Sequence, residues 1–189
     1  GDPAGAEGSY MVGADATFQT SRFRGSKNFI AGAWGMVTDR KGLAGDRTAF
    51  GARLDYPNDI WDVALTYLRI GDGFDPSMGF VPRMGIHKLT GGANFRYYPS
   101  SVPWMRMMYY EFMPTIIWGL DGEWESYRIF MAPVNWRLES GDRLEINANP
   151  CISPDAGFIA AAAHAGVGED LLHAKRLGGG EAAWLHVHV

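Results

Sequence analysis

Phe50-Gly51-Ala52-Arg53-Leu54-Asp55-Tyr56 decides how this chain folds. Phe50, Ala52, Leu54 and Tyr56 alternate with Gly51, Arg53 and Asp55, so an extended backbone puts an apolar, aromatic set on one face and two opposite charges on the other. A sheet of such strands divides water from something less polar. Working outward, the period of two recurs in about eight stretches between Tyr10 and Asn149, most of them long and separated by Gly, Asp and Pro turns. Strands of about ten residues with a face rich in Trp, Tyr, Phe and Met make a partial transmembrane β-barrel the leading expectation.

Toward the N-terminus, a strand is expected over Tyr10 to Phe23, with Asp15, Thr17, Gln19 and Ser21 opposite Val12, Ala14, Ala16 and Phe18. The next, Asn28 to Asp39, alternates Ile30, Trp34 and Met36 with Ala31, Ala33 and Val37, a pattern that leaves open which face is wet. Toward the C-terminus, Pro57-Asn58-Asp59 predicts a tight turn into Trp61 to Ile70, with Trp61, Val63, Leu65 and Tyr67 on one side. Gly71 to Arg83 is a long irregular stretch, expected as a loop braced by Phe74 and Phe80.

His87 to Tyr98 sets Lys88, Thr90, Gly92, Asn94 and Arg96 against Leu89, Ala93, Phe95 and Tyr97. In Trp104 to Leu120, Met108, Tyr110, Phe112, Ile116 and Trp118 face away from Glu111, and Pro114 interrupts the run. Asp121-Gly122 predicts a two-residue type I′ hairpin turn. Trp124 to Leu138 shifts its alternation around Pro133, where a bulge would reset the register, and Arg143 to Asn149 follows. The succession is an all-β, antiparallel up-and-down meander with no call for crossover helices.

After Pro150 the texture changes to an Ala run, Ala160 to Ala163, and the Gly178 to Gly180 triplet. Residues 1–150 are therefore expected as the barrel segment and 151–189 as an atypical tail, weakly helical over 156–175 or disordered.

Composition supports the same class. Among 189 residues there are 25 Gly, 7 Trp, 8 Tyr and 10 Phe, with 20% charged, which is aromatic-rich for a soluble domain. No run approaches the roughly 18 to 20 apolar residues of a spanning helix. A net charge of −4 with scattered basic residues gives no footprint for nucleic acid. The single cysteine, Cys151, forms no internal disulfide and says nothing of compartment. The first residues, Gly-Asp-Pro-Ala-Gly, lack Met, a basic region and an apolar region, which suggests a removed signal peptide or an internal fragment.

Several motifs carry a resemblance: Gly13-Ala14-Asp15 with Thr20-Ser21-Arg22-Phe23; Leu54 through Trp61; Phe74-Asp75-Pro76 with Gly79-Phe80-Val81-Pro82-Arg83; Asp121-Gly122-Glu123 with Glu125-Ser126; and Leu138 through Arg143. Over about residues 9–150 the chain resembles an uncharacterised outer-membrane β-barrel family that follows a family-nine-like carbohydrate-binding module in secreted bacterial proteins. The resemblance implies a bacterial outer-membrane location, lipid contact, a saccharide as solute, and further strands and an upstream module in the full-length protein. Members of that family are several hundred residues long, so the chain is expected to be a fragment. Residues from Cys151 onward depart from the family, as a truncated gene or shifted frame would make them.

No nucleophile motif of the Gly-x-Ser-x-Gly type and no phosphate-binding Gly-x-x-x-x-Gly-Lys occurs, and no cofactor is expected. His186 and His188 supply at most half of a metal site. Asp72 and Asp75 lack the ligand spacing of a calcium loop. Glu111, Glu123, Glu125, Glu139 and Glu145 offer no spacing that selects a glycosidase pair. The functional candidates are the wet-face residues Asp15, Gln19, Arg53, Asp55, Lys88, Asn94, Arg96, Glu111, Arg143 and Glu145, expected to line a lumen and pair charges between neighbouring strands. Tyr56, Trp61, Tyr97, Tyr98, Trp104 and Trp124 are expected as an interfacial girdle. The rival expectations are a secreted soluble β-sandwich that binds glycans through its aromatics, and a membrane-associated hydrolase.

Overall fold

The structure, a computed structural model, describes residues 8–76, 79–153, 158–160 and 163–166, and from residue 151 on it describes the backbone. Among the described residues there is no helix. Eight strands follow one another: β1 (Ser9–Phe23), β2 (Lys27–Arg40), β3 (Thr48–Pro57), β4 (Trp61–Ile70), β5 (Ile86–Tyr97), β6 (Met105–Gly119), β7 (Trp124–Leu138) and β8 (Arg143–Ala148). Each pairs with its sequence neighbours in one antiparallel up-and-down sheet. Three short strands come after them, β9 (Cys151–Ser153), β10 (Phe158–Ala160) and β11 (Ala163–Gly166), with β11 on β8 and β9 on β7 and β10. Within 156–175, where weak helix was expected, the residues that are described are thus strand; His186 and His188 lie outside the described residues.

Turn chemistry sets the hairpins. Arg24 and Gly25 both take positive φ (46° and 101°) between β1 and β2. At Asp121-Gly122 only Gly122 does (87°), so the expected type I′ turn is replaced by a longer hairpin loop. There Gly122 N–H donates to the Gly119 carbonyl at 3.1 Å and Gly119 N–H to Glu123 at 2.8 Å. The link from β7 to β8 repeats this arrangement, with Gly141 at φ 97°, its N–H on Leu138 at 3.2 Å, and Leu138 N–H on Asp142 at 2.9 Å. An αL glycine after a type I turn matches the twist of the flanking strands without requiring Asp121 or Ser140 to adopt positive φ.

The prolines are accommodated differently. β6 runs unbroken through Pro114, and the neighbouring strand carries Gly91, where an added Cβ would lie 3.1 Å from the Pro114 ring. In β7 the register against β8 slips between Met131 and Val134, so the bulge expected at Pro133 is present. Met131 and Val134, three residues apart, therefore fall on the same face, which explains the shifted alternation.

Contacts group the chain into two units, Gly1–Asp55 with Leu65–Leu89 and Ile117–Trp124, and Tyr56–Ala64 with Thr90–Ile116 and Glu125–Val189. In the first unit, β1 pairs with β2 from Ser9↔Arg40 to Phe23↔Lys27, and β2 pairs with β3 from Ile30↔Asp55 to Val37↔Thr48. The register settles the wet face of β2. Gly32 lies between Thr17 and Arg53, Ile30 between Gln19 and Asp55, and Trp34 between Asp15 and Gly51, so Ile30 and Trp34 sit on the charged side. A Cβ at Gly51 would come within 2.8 Å of the Trp34 indole nitrogen, so glycine makes the room that this large ring occupies.

The loop after β4 is locked onto the loop before β3 in the same unit. Gly71 N–H donates to Thr48 (2.8 Å), Gly73 N–H to Asp46 (3.0 Å), and Asp46 N–H to Asp72 Oδ1 (2.6 Å). Added methyl groups at Gly71 and Gly73 would each meet a backbone carbonyl oxygen at 2.0 Å, so only glycine permits this approach. Phe74 is buried, as a bracing residue would be, but Phe80 is 88% exposed and braces nothing.

Candidate functional site

The first unit holds two arrangements. On the charged face, Arg53 Nε pairs with Asp55, whose carboxylate is 4% exposed. At the loops, Arg69 reaches Asp46 (2.5 Å) and the Thr48 hydroxyl (3.2 Å), Arg40 reaches Asp75 (2.5 Å), and Arg47 pairs with Asp39. The Thr48 hydroxyl and then Arg69 hold the Asp46 carboxyl below the ordinary aspartate range. Asp72 and Asp75 are thereby engaged by a backbone N–H and an arginine. Among the described residues no three metal-ligating side chains gather.

On the opposite face of this unit Phe50, Tyr67, His87 and Trp118 form a row across β3 to β6. Phe50 and Tyr67 rings lie 6.2 Å apart, and the Tyr67 hydroxyl meets His87 Nδ1 at 2.6 Å. His87 stacks on Trp118 at 5.3 Å and 10°, while Arg69 caps Phe50 at 5.5 Å. These are offset and cation–π geometries that aromatic groups favour at a boundary where one end is wet.

In the second unit the polar face carries a continuous chain of contacts. Asn135 Nδ2 donates to Glu111 (3.3 Å), Arg143 Nε donates to Asn135 Oδ1 (3.2 Å), Arg143 pairs with Glu145 (2.5 Å), and Asn147 Nδ2 donates to Glu145 (2.7 Å). The carboxamide of Asn135 suits the middle of this chain because it donates to an acid and accepts from a base. It is 1% exposed. Arg96 forms a second node, donating to the Asp59 carbonyl (2.8 Å), lying 3.9 Å from Asp62 and covering Tyr109 at 5.0 Å. Tyr98 donates its hydroxyl to Asp59 at 3.0 Å, and this bond first, then desolvation, raises the phenol above its usual pKa. On the reverse face Trp61, Phe95 and Tyr110 make a second aromatic row, with centroids 4.5 and 6.1 Å apart.

The chain matches no family model, no curated protein and no solved structure. What the site can do therefore rests on its own geometry.

Of the sequence candidates, Glu111, Arg143 and Glu145 are brought together through Asn135, and Arg53 meets Asp55. Arg53–Asp55 and Arg143–Glu145 pair along one strand rather than between neighbours as expected. Residues i and i+2 share a face about 7 Å apart, within reach of an arginine side chain. Cross-strand charge pairing occurs at Arg96 with Asp62. Lys88, Asn94 and Arg96 alternate along β5, half-buried, and Asp15 and Gln19 are opposite Trp34 and Ile30 rather than a charge. Among the girdle candidates, Trp61 joins an aromatic row; Tyr97, Tyr98, Trp104 and Trp124 are exposed near strand ends, and Tyr56 is half-buried.

Sequence reasoning missed Asn135 and the row through His87. Asn135 carries a usable signal, since a residue poorly suited to strands stands between Val134 and Trp136 in phase with Arg137. His87 has none, because its role depends on which side chains β4 and β6 place beside it.

Proposed function

We propose that this chain is a non-catalytic segment of a bacterial outer-membrane β-barrel whose complete form passes or binds a polar solute. One observation carries the proposal: beyond β1, which is exposed on both faces, the sheet leaves large apolar side chains exposed while burying some of its polar ones. Its apolar face is exposed, with Phe50 at 41%, Leu54 at 49%, Trp61 at 49%, Leu65 at 44% and Phe112 at 46%, whereas Asp55 and Asn135 on the polar face are buried. Buried apolar residues among those described are limited to Ala49, Phe74, Ile86, Met105 and Ala132. Lipid against the exposed face and solute against the other accounts for both.

The aromatic rows give independent support. His87 and Phe95 are eight residues apart on one side of β5, as are Tyr110 and Trp118 on β6. Aromatic residues recurring along one side of a strand suit a lipid-facing side bordered by aromatic girdles. A saccharide suits a polar face of amides, hydroxyls and closed ion pairs, and the resemblance to carbohydrate-linked barrels points the same way. A soluble sandwich would bury its apolar faces between two sheets, and the described strands make one sheet.

Two substitutions test the proposal. Leu54→Arg and Val63→Arg put a cation on the exposed apolar face of either unit. In a bilayer each costs about 2–4 kcal/mol near midplane; in water an exposed Leu→Arg lies within about 0.5 kcal/mol of neutral. Folding into lipid vesicles, followed by heat-modifiable migration in detergent gels, reads the difference. A product that stays soluble without detergent and tolerates both changes refutes the barrel.

A further inference from the structure

Among the described residues β1 is the longest strand edge that no other strand covers. It pairs only with β2 among the described residues, over fifteen residues with no Pro and no Lys, and its only register shift lies at the turn end between Thr20 and Phe23. Edge strands meant to stay single are short, kinked, or blunted with Lys or Pro. The opposite end of the sheet is different, since β8 has six residues and is covered by β11. β9, β10 and β11, with three, three and four residues, are too short to cover β1.

We propose that the free edge of β1 pairs with β1 of a second copy of this chain about a two-fold axis at Thr17. About a two-fold axis normal to the sheet a strand meets its own copy antiparallel, the mode used throughout this sheet. The wet faces must also coincide, which requires residue i to oppose residue j with i + j even. Among such registers, a pivot at Asp15 would oppose two like charges. A pivot at Thr17 pairs Thr17 with Thr17, sets Asp15 against Gln19 as acceptor and donor on the wet face, and sets small Ala16 against Phe18 on the apolar face. Asp15 and Gln19, whose neighbours on β2 are Trp34 and Ile30, thereby gain the polar partners that β2 does not supply. The proposal concerns the edge of this chain by itself, which the further strands of a complete barrel would otherwise occupy, and it does not depend on the apolar face meeting lipid.

Cysteine cross-linking of the full chain in a Cys151→Ser background tests it, in zwitterionic detergent and in buffer. Opposed residues of an antiparallel pair lie about 4.5–5.5 Å apart at Cα, within disulfide reach. Thr17→Cys is expected to oxidise to a disulfide-linked dimer in high yield. Val12→Cys, ten residues from its counterpart and thus about 34 Å away, is expected to remain monomeric. Thr17→Lys, which blunts the edge, is expected to halve the mass measured by ultracentrifugation relative to the unsubstituted chain. A monomeric unsubstituted chain, or equal cross-linking at both cysteines, overturns the proposal. Failure here leaves the Leu54→Arg and Val63→Arg results untouched, so the two proposals fail separately.

Discussion

Replacing Asn135 by Ala probes the polar face most directly. The substitution removes two side-chain hydrogen bonds to charged partners, at 3.3 Å to Glu111 and 3.2 Å from Arg143. Such bonds contribute about 1.5–3 kcal/mol each when short, and both of these exceed the usual 2.7–2.9 Å of charge-assisted pairs, so about 1 kcal/mol each is the better figure. The groups left behind differ. Arg143 keeps Glu145 and has 44% of its side chain exposed, so it rehydrates cheaply. Glu111 is half-buried and loses its amide donor, which adds about 1 kcal/mol of desolvation. The expected loss is about 2–3 kcal/mol, or roughly 30- to 150-fold in the folding equilibrium constant. Equilibrium unfolding in urea from detergent micelles or vesicles, followed by tryptophan fluorescence, measures it. A double-mutant cycle with Glu111→Gln isolates the coupling, expected at about 1 kcal/mol. A loss below about 0.5 kcal/mol, or additive single and double substitutions, would show that the chain from Glu111 to Asn147 is incidental.

Other outcomes follow from the same geometry. Gly73→Ala is expected to cost about 1–3 kcal/mol because its methyl group would meet the Ala44 carbonyl oxygen at 2.0 Å, while Gly42→Ala meets open space and costs only the strain of φ 88°, about 1 kcal/mol; paired urea melts compare them. Asp46 is depressed in the folded state, so its stabilisation is fully present above the unfolded aspartate range and disappears as pH falls through the lower folded value. Asp46→Asn should accordingly lower the melting temperature near neutral pH, by an amount equivalent to about 1 kcal/mol or less for this partly exposed pair. It should also flatten the acid limb of the stability profile, and a profile parallel to the parent's would contradict the assignment. Phe80→Ser, at an 88% exposed position, is expected to leave the melting temperature unchanged.

The number, order and most boundaries of β1 to β8 were legible because period-two alternation is a local property, whereas the short strands β9 to β11 carry no such alternation and were not. β3 is the clearest case: Arg53 and Asp55 fall opposite Phe50 and Leu54 as expected. The bulge at Pro133 was legible for a related reason, since Pro removes a ladder donor and the alternation slips where it stands. The wet face of β2 was not. Trp34 belongs to the charged side because Gly51 on the next strand leaves space for its indole, and that space is not visible within β2 itself. Phe80 misled because aromatic residues in Gly/Pro loops often brace them, yet the glycine contacts at Gly71 and Gly73 already hold this loop and leave its tip outside. Asn135 was passed over because its partners, Glu111 and Arg143, come from strands before and after it and meet only after the bulge resets the register.

The scarcity of buried apolar residues among those described bears on what holds such a sheet together. In water a backbone hydrogen bond contributes only about 0.5–1.5 kcal/mol net, because the unfolded chain bonds to solvent instead. A single layer exposing Leu54, Trp61, Leu65 and Phe112 forgoes most of the hydrophobic term that normally supplements this ladder. In hydrocarbon the comparison reverses. An unpaired N–H or C=O there costs several kcal/mol, so every rung of β1 through β8 is enforced, and the exposed apolar face is solvated rather than stranded. The polar face then becomes the side that needs internal order, and the run from Glu111 through Asn135 and Arg143 to Glu145 provides it. The same reasoning makes the outer edge of β1 the weakest point, since the backbone groups between Tyr10 and Arg22 that point away from β2 find no strand among the described residues, which is tolerable in water but not in lipid. If the chain is a membrane wall, disrupting the β1 edge with Thr17→Lys should therefore reduce folded yield more in vesicles than in detergent, where water reaches the rim; equal yields in the two would separate the edge from the membrane.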